Sequence, residues 1–358
     1  MKSKKLSIKN YLKEFRKLTI LTSKLQNTEA LAQILINDLI YLYLVVEEIL
    51  VDRNFKKNIF FEPIYILKSI NSKILNFKKI SHNLSNEKTS ERGKDLDKMH
   101  KKHFQKLWVN YTKKQFINER LLPYTKRVKI NNLIHLIKGK RCIDFGCGHG
   151  QFLMALKKLG ASYCLGLDFG KDSISYANKM SKILQFDKKK LKYIYCDASN
   201  AKNIKSNSFD FAIQNGVFHH IIDNKKEINA YKEVNRVLKK GGYFFIHTAG
   251  AGPENLRTAT LEGITKILKK FGEDYLRNKI GELPLSNNKK YMIRDNFIVK
   301  YKNTTWKKYV KFLKRMGFEF IRPLKGHSKT DFDKFFSKDK LFKEKFGDGH
   351  LRLLCRKI

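Results

Sequence analysis

Cys142-Ile143-Asp144-Phe145-Gly146-Cys147-Gly148-His149-Gly150 is an apolar run that passes into glycines at alternate positions and then into a helical pattern. Glycines there let backbone approach a nucleotide-like ligand where a Cβ collides. The dinucleotide fingerprint G-x-G-x-x-G would place its third glycine at position 151; that residue is Gln151, and the glycine is Gly150. Asp144 stands two residues before the first glycine, where a carboxylate repels a pyrophosphate and favours a cationic ligand.

Outward from this stretch, short apolar runs alternate with amphipathic ones. Strands are predicted at 141–145, 163–167, 191–196, 209–214, 243–248, 318–322 and 351–356, with helices at 151–159, 172–183, 227–238 and 305–316. That alternation predicts an α/β fold, a Rossmann-like, doubly wound, mostly parallel seven-stranded sheet. Two more acids end predicted strands. Asp168 closes Leu165-Gly166-Leu167-Asp168, and Asp197 follows Tyr195-Cys196. An acid after the second strand suits ribose hydroxyls and also caps the next helix. Asp197 suits an adenine amino group, and taken alone is an ordinary turn residue. All three acids are expected at the carboxyl ends of successive strands, where open α/β sheets bind ligands.

The run from about Lys138 to Gly250 resembles the class I S-adenosylmethionine-dependent methyltransferases, in the group that includes the ubiquinone and menaquinone C-methyltransferases. The glycine loop is similar to their first motif, Asp168 to their ribose acid and Asp197 to their adenine acid. Phe209-Asp210-Phe211 through Gly216-Val217-Phe218-His219-His220 resembles their fourth-strand motif, and Glu233 to Gly242 the helix and turn before their fifth strand, with Lys240 where proline is usual. The resemblance implies S-adenosylmethionine as cofactor. It implies donor contacts by Asp144, Gly146, Cys147, Gly148, Gly150, Asp168, Phe169, Asp197, Ala198, Asn215 and Gly216. Trp108, Tyr111, Arg120 and Arg127 resemble the helical cover of some members, in which an arginine, here Arg127, meets the donor carboxylate. His219 and His220 are the candidate general bases for an acceptor that must lose a proton.

The formal charge of +42 in 358 residues invites a nucleic-acid reading. The lysines, however, are spread along the whole chain in pairs such as Lys239-Lys240 and Lys269-Lys270, with no arginine-bearing stripe. The expected consequence is non-specific attraction to nucleic acid or anionic membrane surfaces. Cysteines 142, 147, 164, 196 and 355 form no C-x-x-C pair, so neither a zinc site nor a disulfide frame is expected, and no metal. Met1 to Lys17 lacks an apolar signal core, and Leu39 to Val46 is too short for a membrane span. A cytoplasmic enzyme without a transmembrane segment is the expectation.

Three regions follow: residues 1–98, mostly helical and of unassigned role; 99–137, a helical cover; and 138–358, the methyltransferase domain with a helical, lid-like insertion at 251–303. The polar stretch 81–98 reads as a linker. Because the insertion follows the fifth strand, it is expected to select the acceptor. Gln214-Asn215-Gly216-Val217 stands where base N-methylating enzymes carry a proline-rich motif, so a small-molecule or lipid-like acceptor leads. The alternatives are an RNA methyltransferase using the basic surface, and a non-catalytic donor-binding scaffold.

Overall fold

The computed structural model describes residues 6–52, 58–80, 111–252, 254–326 and 338–358. The chain divides into two compact units. One comprises residues 96–251, 301–335 and 348–358; the other comprises 1–95, 252–300 and 336–347.

The first unit carries every strand of the sheet: β1 Arg141–Phe145, β2 Tyr163–Asp168, β3 Leu191–Tyr195, β4 Phe209–Asn215, β5 Leu238–Ala249, β6 Phe318–Pro323 and β7 His350–Lys357. Their order is β3-β2-β1-β4-β5-β7-β6, and β7 runs antiparallel to both neighbours. This is the predicted seven-stranded sheet. Its order reverses between β1 and β4, which opens a crevice at their carboxyl ends. One face buries Phe152, Met154, Phe211 and Phe245; the other buries Phe145, Phe218, Phe244 and Tyr231. Strands covered on both faces have no alternation to show, which is why β1 is buried at every position from Cys142 to Phe145, Asp144 included.

Two departures from the sequence reading have local causes. Lys240-Gly241-Gly242 reads as a turn before the fifth strand, yet β5 starts at Leu238, which pairs with Phe209 before the register jumps so that Tyr243 faces Phe211. Gly241 has φ 73° and a Cβ on Gly242 would lie 2.9 Å from the Lys239 carbonyl oxygen, so these glycines form an irregularity inside the strand rather than a turn outside it. Pro123 reads as a helix break, yet the helical run continues through it from Lys113 to Ile130, with Leu122 N–H still donating to the Ile117 carbonyl. A π-helical turn, Ile117–Leu121, precedes the proline. Trp108 and the linker stretch 81–98 lie outside the described residues.

The second unit is helical: Ile8–Ser23, Glu29–Val51, Phe61–Ile80, Leu256–Leu268, Glu273–Glu282, Asn287–Phe297 and Lys340–Phe346. Leu31, Leu35, Leu39, Leu42 and Val46 are buried, as their helical spacing predicts. The insertion after β5 packs here, against the N-terminal helices. Tyr11 and Thr260 share a buried hydrogen bond of 2.7 Å, Asn27 Nδ2 donates to the Lys270 carbonyl at 2.9 Å, and a Cβ on Gly263 would strike the Phe15 ring. The expectation for 251–303 named its helices but not their partners. Among the described residues no helix is long and apolar enough to cross a membrane.

Candidate active site

The glycine loop is shaped by different demands at each glycine. A Cβ on Gly146 would lie 2.5 Å from both methyl carbons of Val217, and one on Gly150 would lie 2.4 Å from the Tyr193 hydroxyl. Those two positions are closed by packing. Gly148, with φ 53°, has nothing within 4 Å of the place a Cβ would take. Its open side is the part of the loop with room for a ligand. Gly150, left-handed at φ 75°, introduces the helix Gln151–Lys158. Cys147 is buried beneath the loop, its Sγ 3.8 Å from the Gly148 carbonyl.

Asp168, at the end of β2, is 9% exposed and organises this loop: Gly148 N–H donates to Oδ2 and Gly170 N–H to Oδ1, each at 2.8 Å. Burial raises its pKa and the two N–H groups oppose that rise. Phe169 beside it is half-buried. A carboxylate has about four acceptor positions, so two remain after these bonds. Asp144, in register with Gly166 of β2 and Ile213 of β4, is 2% exposed, and its Oδ1 is buried without a hydrogen-bond partner. Burial, and then the nearby Asp168, push its carboxyl well above the usual range. An orphaned buried oxygen of this kind is costly unless a ligand completes it. Asp197 is exposed, and its Oδ1 accepts from Ser199 N–H at 2.8 Å and Ser199 Oγ at 2.7 Å. It therefore builds the turn after β3, with Ala198 half-buried within it.

The other half of the rim is basic. Arg127, buried in the helix Leu122–Ile130, donates to Asn215 Oδ1 at 3.1 Å at the end of β4, and Asn215 Nδ2 donates to Tyr124 at 3.3 Å. Arg127 also stacks over the Tyr124 ring at 5.0 Å. Arg120, in contrast, pairs with the Tyr111 hydroxyl at 2.6 Å. Past Gly216, Gln214 Oε1 accepts from Val217 N–H at 3.1 Å, fixing the short helical turn Phe218–His220. The rings of His219 and His220 lie 4.2 Å apart with Tyr301 edge-on to both, and Lys302 N–H donates to the His219 carbonyl at 2.8 Å.

Sequence reasoning missed His247 and His350. His247, on β5, lies 5.2 Å from the His350 ring, and Arg352 Nη2 meets His350 Nδ1 at 3.4 Å. A Cβ on Gly216 would sit 3.6 Å from His247 Nδ1 and 3.9 Å from His219 Cε1, so both imidazoles flank the backbone at the end of β4. The Nδ1 atoms of His219 and His247 are both buried without hydrogen-bond partners. Burial, and then His220 and His350, hold His219 well below the usual histidine pKa; burial, Arg352, His350, Arg127 and His219 do the same for His247. Burial disfavours the charged imidazolium and so keeps both rings neutral, the form with a ring nitrogen free to accept a hydrogen bond, while making each a weaker base than a free imidazole. Among the described residues no cluster of His, Cys, Asp and Glu has the geometry to hold a metal ion.

Comparison with known proteins gives the same reading. Residues 136–315 match the family described as a methyltransferase domain. A mitochondrial ubiquinone biosynthesis O-methyltransferase of Dictyostelium discoideum is 34% identical over 149 residues, 39% of this chain and 44% of that protein. A tRNA (carboxymethyluridine(34)-5-O)-methyltransferase of Mus musculus is 26% identical over 158 residues, 44% of this chain and 21% of that protein. The solved structure of an S-adenosylmethionine-dependent methyltransferase from Mesorhizobium loti overlays with a TM-score of 0.40 at 20% identity, covering 62% of this chain and 92% of that one. The matches span less than half the length of these two curated relatives.

Proposed function

We infer, from the premise that this chain belongs to the methyltransferase-domain family and is a class I enzyme using S-adenosylmethionine, that it methylates an oxygen atom of a small or lipid-like acceptor. The site's chemistry fits the donor. Asp144 offers an orphaned buried carboxylate oxygen to a cation, Gly148 an open wall, and Asp168 two unused acceptor positions for ribose hydroxyls. Arg127, beside Asn215, supplies a guanidinium for the donor carboxylate. When bound, S-adenosylmethionine supplies an electrophilic methyl group on a sulfonium. The chain's task is then to align the acceptor, exclude water and take up a proton.

One observation carries the oxygen reading: the buried Nδ1 of His219, in the turn that follows β4, has no hydrogen-bond partner, and an acceptor hydroxyl donating to it would be held and polarised there. His220, its ring tilted against that of His219 at 4.2 Å and likewise half-buried, is the second candidate. Both curated relatives described above carry O-methyltransferase activity in their names, which supports the same acceptor atom. Incubating cell extract with isotopically methyl-labelled donor and analysing the products by mass spectrometry tests it. A labelled methyl ether or ester of a small molecule is expected. Label found only in RNA, or only on nitrogen or carbon, would overturn the reading.

A further inference from the structure

In the helical unit, the helix Phe61–Ile80 buries one side and leaves the other open. Ile64, Leu67, Ile70 and Ile74 are buried at helical spacing. On the opposite side Phe61, Tyr65, Lys68, Ser72, Leu75 and Lys79 recur at intervals of three and four and form one stripe, every member exposed. Phe61 is 65% exposed and Tyr65, one turn on, is 70% exposed; Ile80, at the end of the helix, is 65% exposed. Large apolar side chains this open, aligned along one face, are not what a helix needs to pack on its own core.

We propose that this stripe is a docking surface for an anionic lipid bilayer, on which the helix lies flat with Phe61, Tyr65 and Leu75 among the upper acyl chains and Lys68 and Lys79 at the phosphates. Charge and side-chain type argue for this occupant. The helix carries Lys68, Lys78 and Lys79 against a single acid, Glu62, besides Lys73, which pairs with Asp38 of the neighbouring helix at 2.9 Å, so the charge left on it suits an anionic surface. Long lysine stems reach the headgroup level from positions between the apolar residues. Tyrosine, with an apolar ring and a polar tip, suits the interface itself. A single-stranded RNA would use stacking aromatics with arginine. This stripe has aliphatic Leu75 in line with its aromatics and no arginine, and aliphatic side chains partition into hydrocarbon but do not stack on bases. No described helix is suited to span the bilayer, so attachment would be peripheral and reversible. The proposal stands independently of the oxygen reading above.

Flotation of the full chain with phosphatidylcholine vesicles, with and without phosphatidylglycerol, tests it. The wild-type chain is expected to float with the anionic vesicles and not with the neutral ones. The decisive variant is Phe61→Ser with Tyr65→Ser, which leaves the net charge unchanged. It is expected to lower partitioning roughly tenfold or more, while the melting temperature and S-adenosylhomocysteine binding stay unchanged. Lys68→Glu with Lys79→Glu is expected to weaken the preference for anionic vesicles. If the aromatic variant floats as well as wild type, attraction is merely the chain's overall charge and the proposal is wrong. It is equally wrong if a single-stranded oligoribonucleotide binds the wild type and loses affinity in the aromatic variant while vesicle flotation is unaffected.

Discussion

The two halves of the sheet's carboxyl rim use opposite chemistry. On β1, β2 and the turn after β3 stand Asp144, Asp168 and Asp197; on β4, the turn after it, β5 and β7 stand Asn215, His219, His247, His350 and Arg352. The acidic half holds an orphaned carboxylate oxygen, the basic half orphaned imidazole nitrogens. The function proposed above puts the cationic donor on the first and the acceptor hydroxyl on the second. The boundary is the switch point between β1 and β4, with Gly146 packed on Val217 across it. Under that proposal one crevice serves a positive charge and a hydroxyl donor at once, because each is met by groups on different elements.

The largest effect that separates the halves should come from the loop. Gly148→Val is expected to eliminate donor binding in calorimetry, since its side chain enters the open wall, while the fold survives a left-handed valine at a cost of roughly 1–2 kcal/mol. Gly150→Val should instead damage the fold itself, because its side chain meets Tyr193. If both variants bind donor and melt alike, the distinction between ligand wall and packing contact is lost. On the basic half, His219→Asn should lower turnover of the labelled acceptor roughly a hundredfold with donor affinity unchanged. A parallel fall in donor affinity would place His219 on the wrong side of the boundary.

Asp168→Ala should weaken donor binding by about 1–3 kcal/mol, from lost hydrogen bonds to a charged acceptor. It also removes the acceptor for Gly148 N–H, so the loop should loosen. Proton exchange at Gly148, followed by NMR, reports that second effect, and an unchanged exchange rate would show that the loop holds itself. The smallest expected effect is on pH dependence. The donor-free site holds Asp144 above its ordinary pKa, and a bound cation favours its ionised form. Donor affinity should therefore rise with pH from the ordinary carboxylate range through the raised value, by at most about tenfold per pH unit. Asp144→Asn should flatten that rise. A wild-type affinity independent of pH would mean that the carboxyl does not face the donor.

The acidic half was legible because its groups sit in register with the chain: each acid directly ends an apolar run, and the glycines follow at fixed spacing. Asp144, Asp168, Asp197, Asn215 and His219 could be named for that reason. Half of the basic rim was hidden. His247 lies two residues before the end of β5, directly after the apolar run Phe244-Phe245-Ile246, and that position was a usable signal. His350 begins its strand instead. Only the antiparallel pairing of His350 with Ala249 brings it to the same rim, and strand direction is not written in periodicity. Asp197 shows the opposite limit. Its place after β3 was readable, whereas its bonds to Ser199 depend on a turn conformation. The helices of 251–303 were readable for the same reason as Leu31 to Val46, from apolar spacing, but spacing names a buried face without naming its partner.

That partner has a consequence for the order in which the protein can be made. The helices Ile8–Ser23 and Glu29–Val51 leave the ribosome long before Leu256–Leu268, against which Tyr11 and Phe15 close. The helix Phe61–Ile80 follows them early and gives them one partner, Asn71 donating to Glu14, but the sides that Leu256–Leu268 covers must wait through the synthesis of five strands of the other unit. The sheet waits as well, since β7, which joins β5 to β6, comes last of its strands. Neither unit can finish while the other is untranslated, and a nascent chain stalled near residue 250 would expose those uncovered helix sides and a β5 with an open edge.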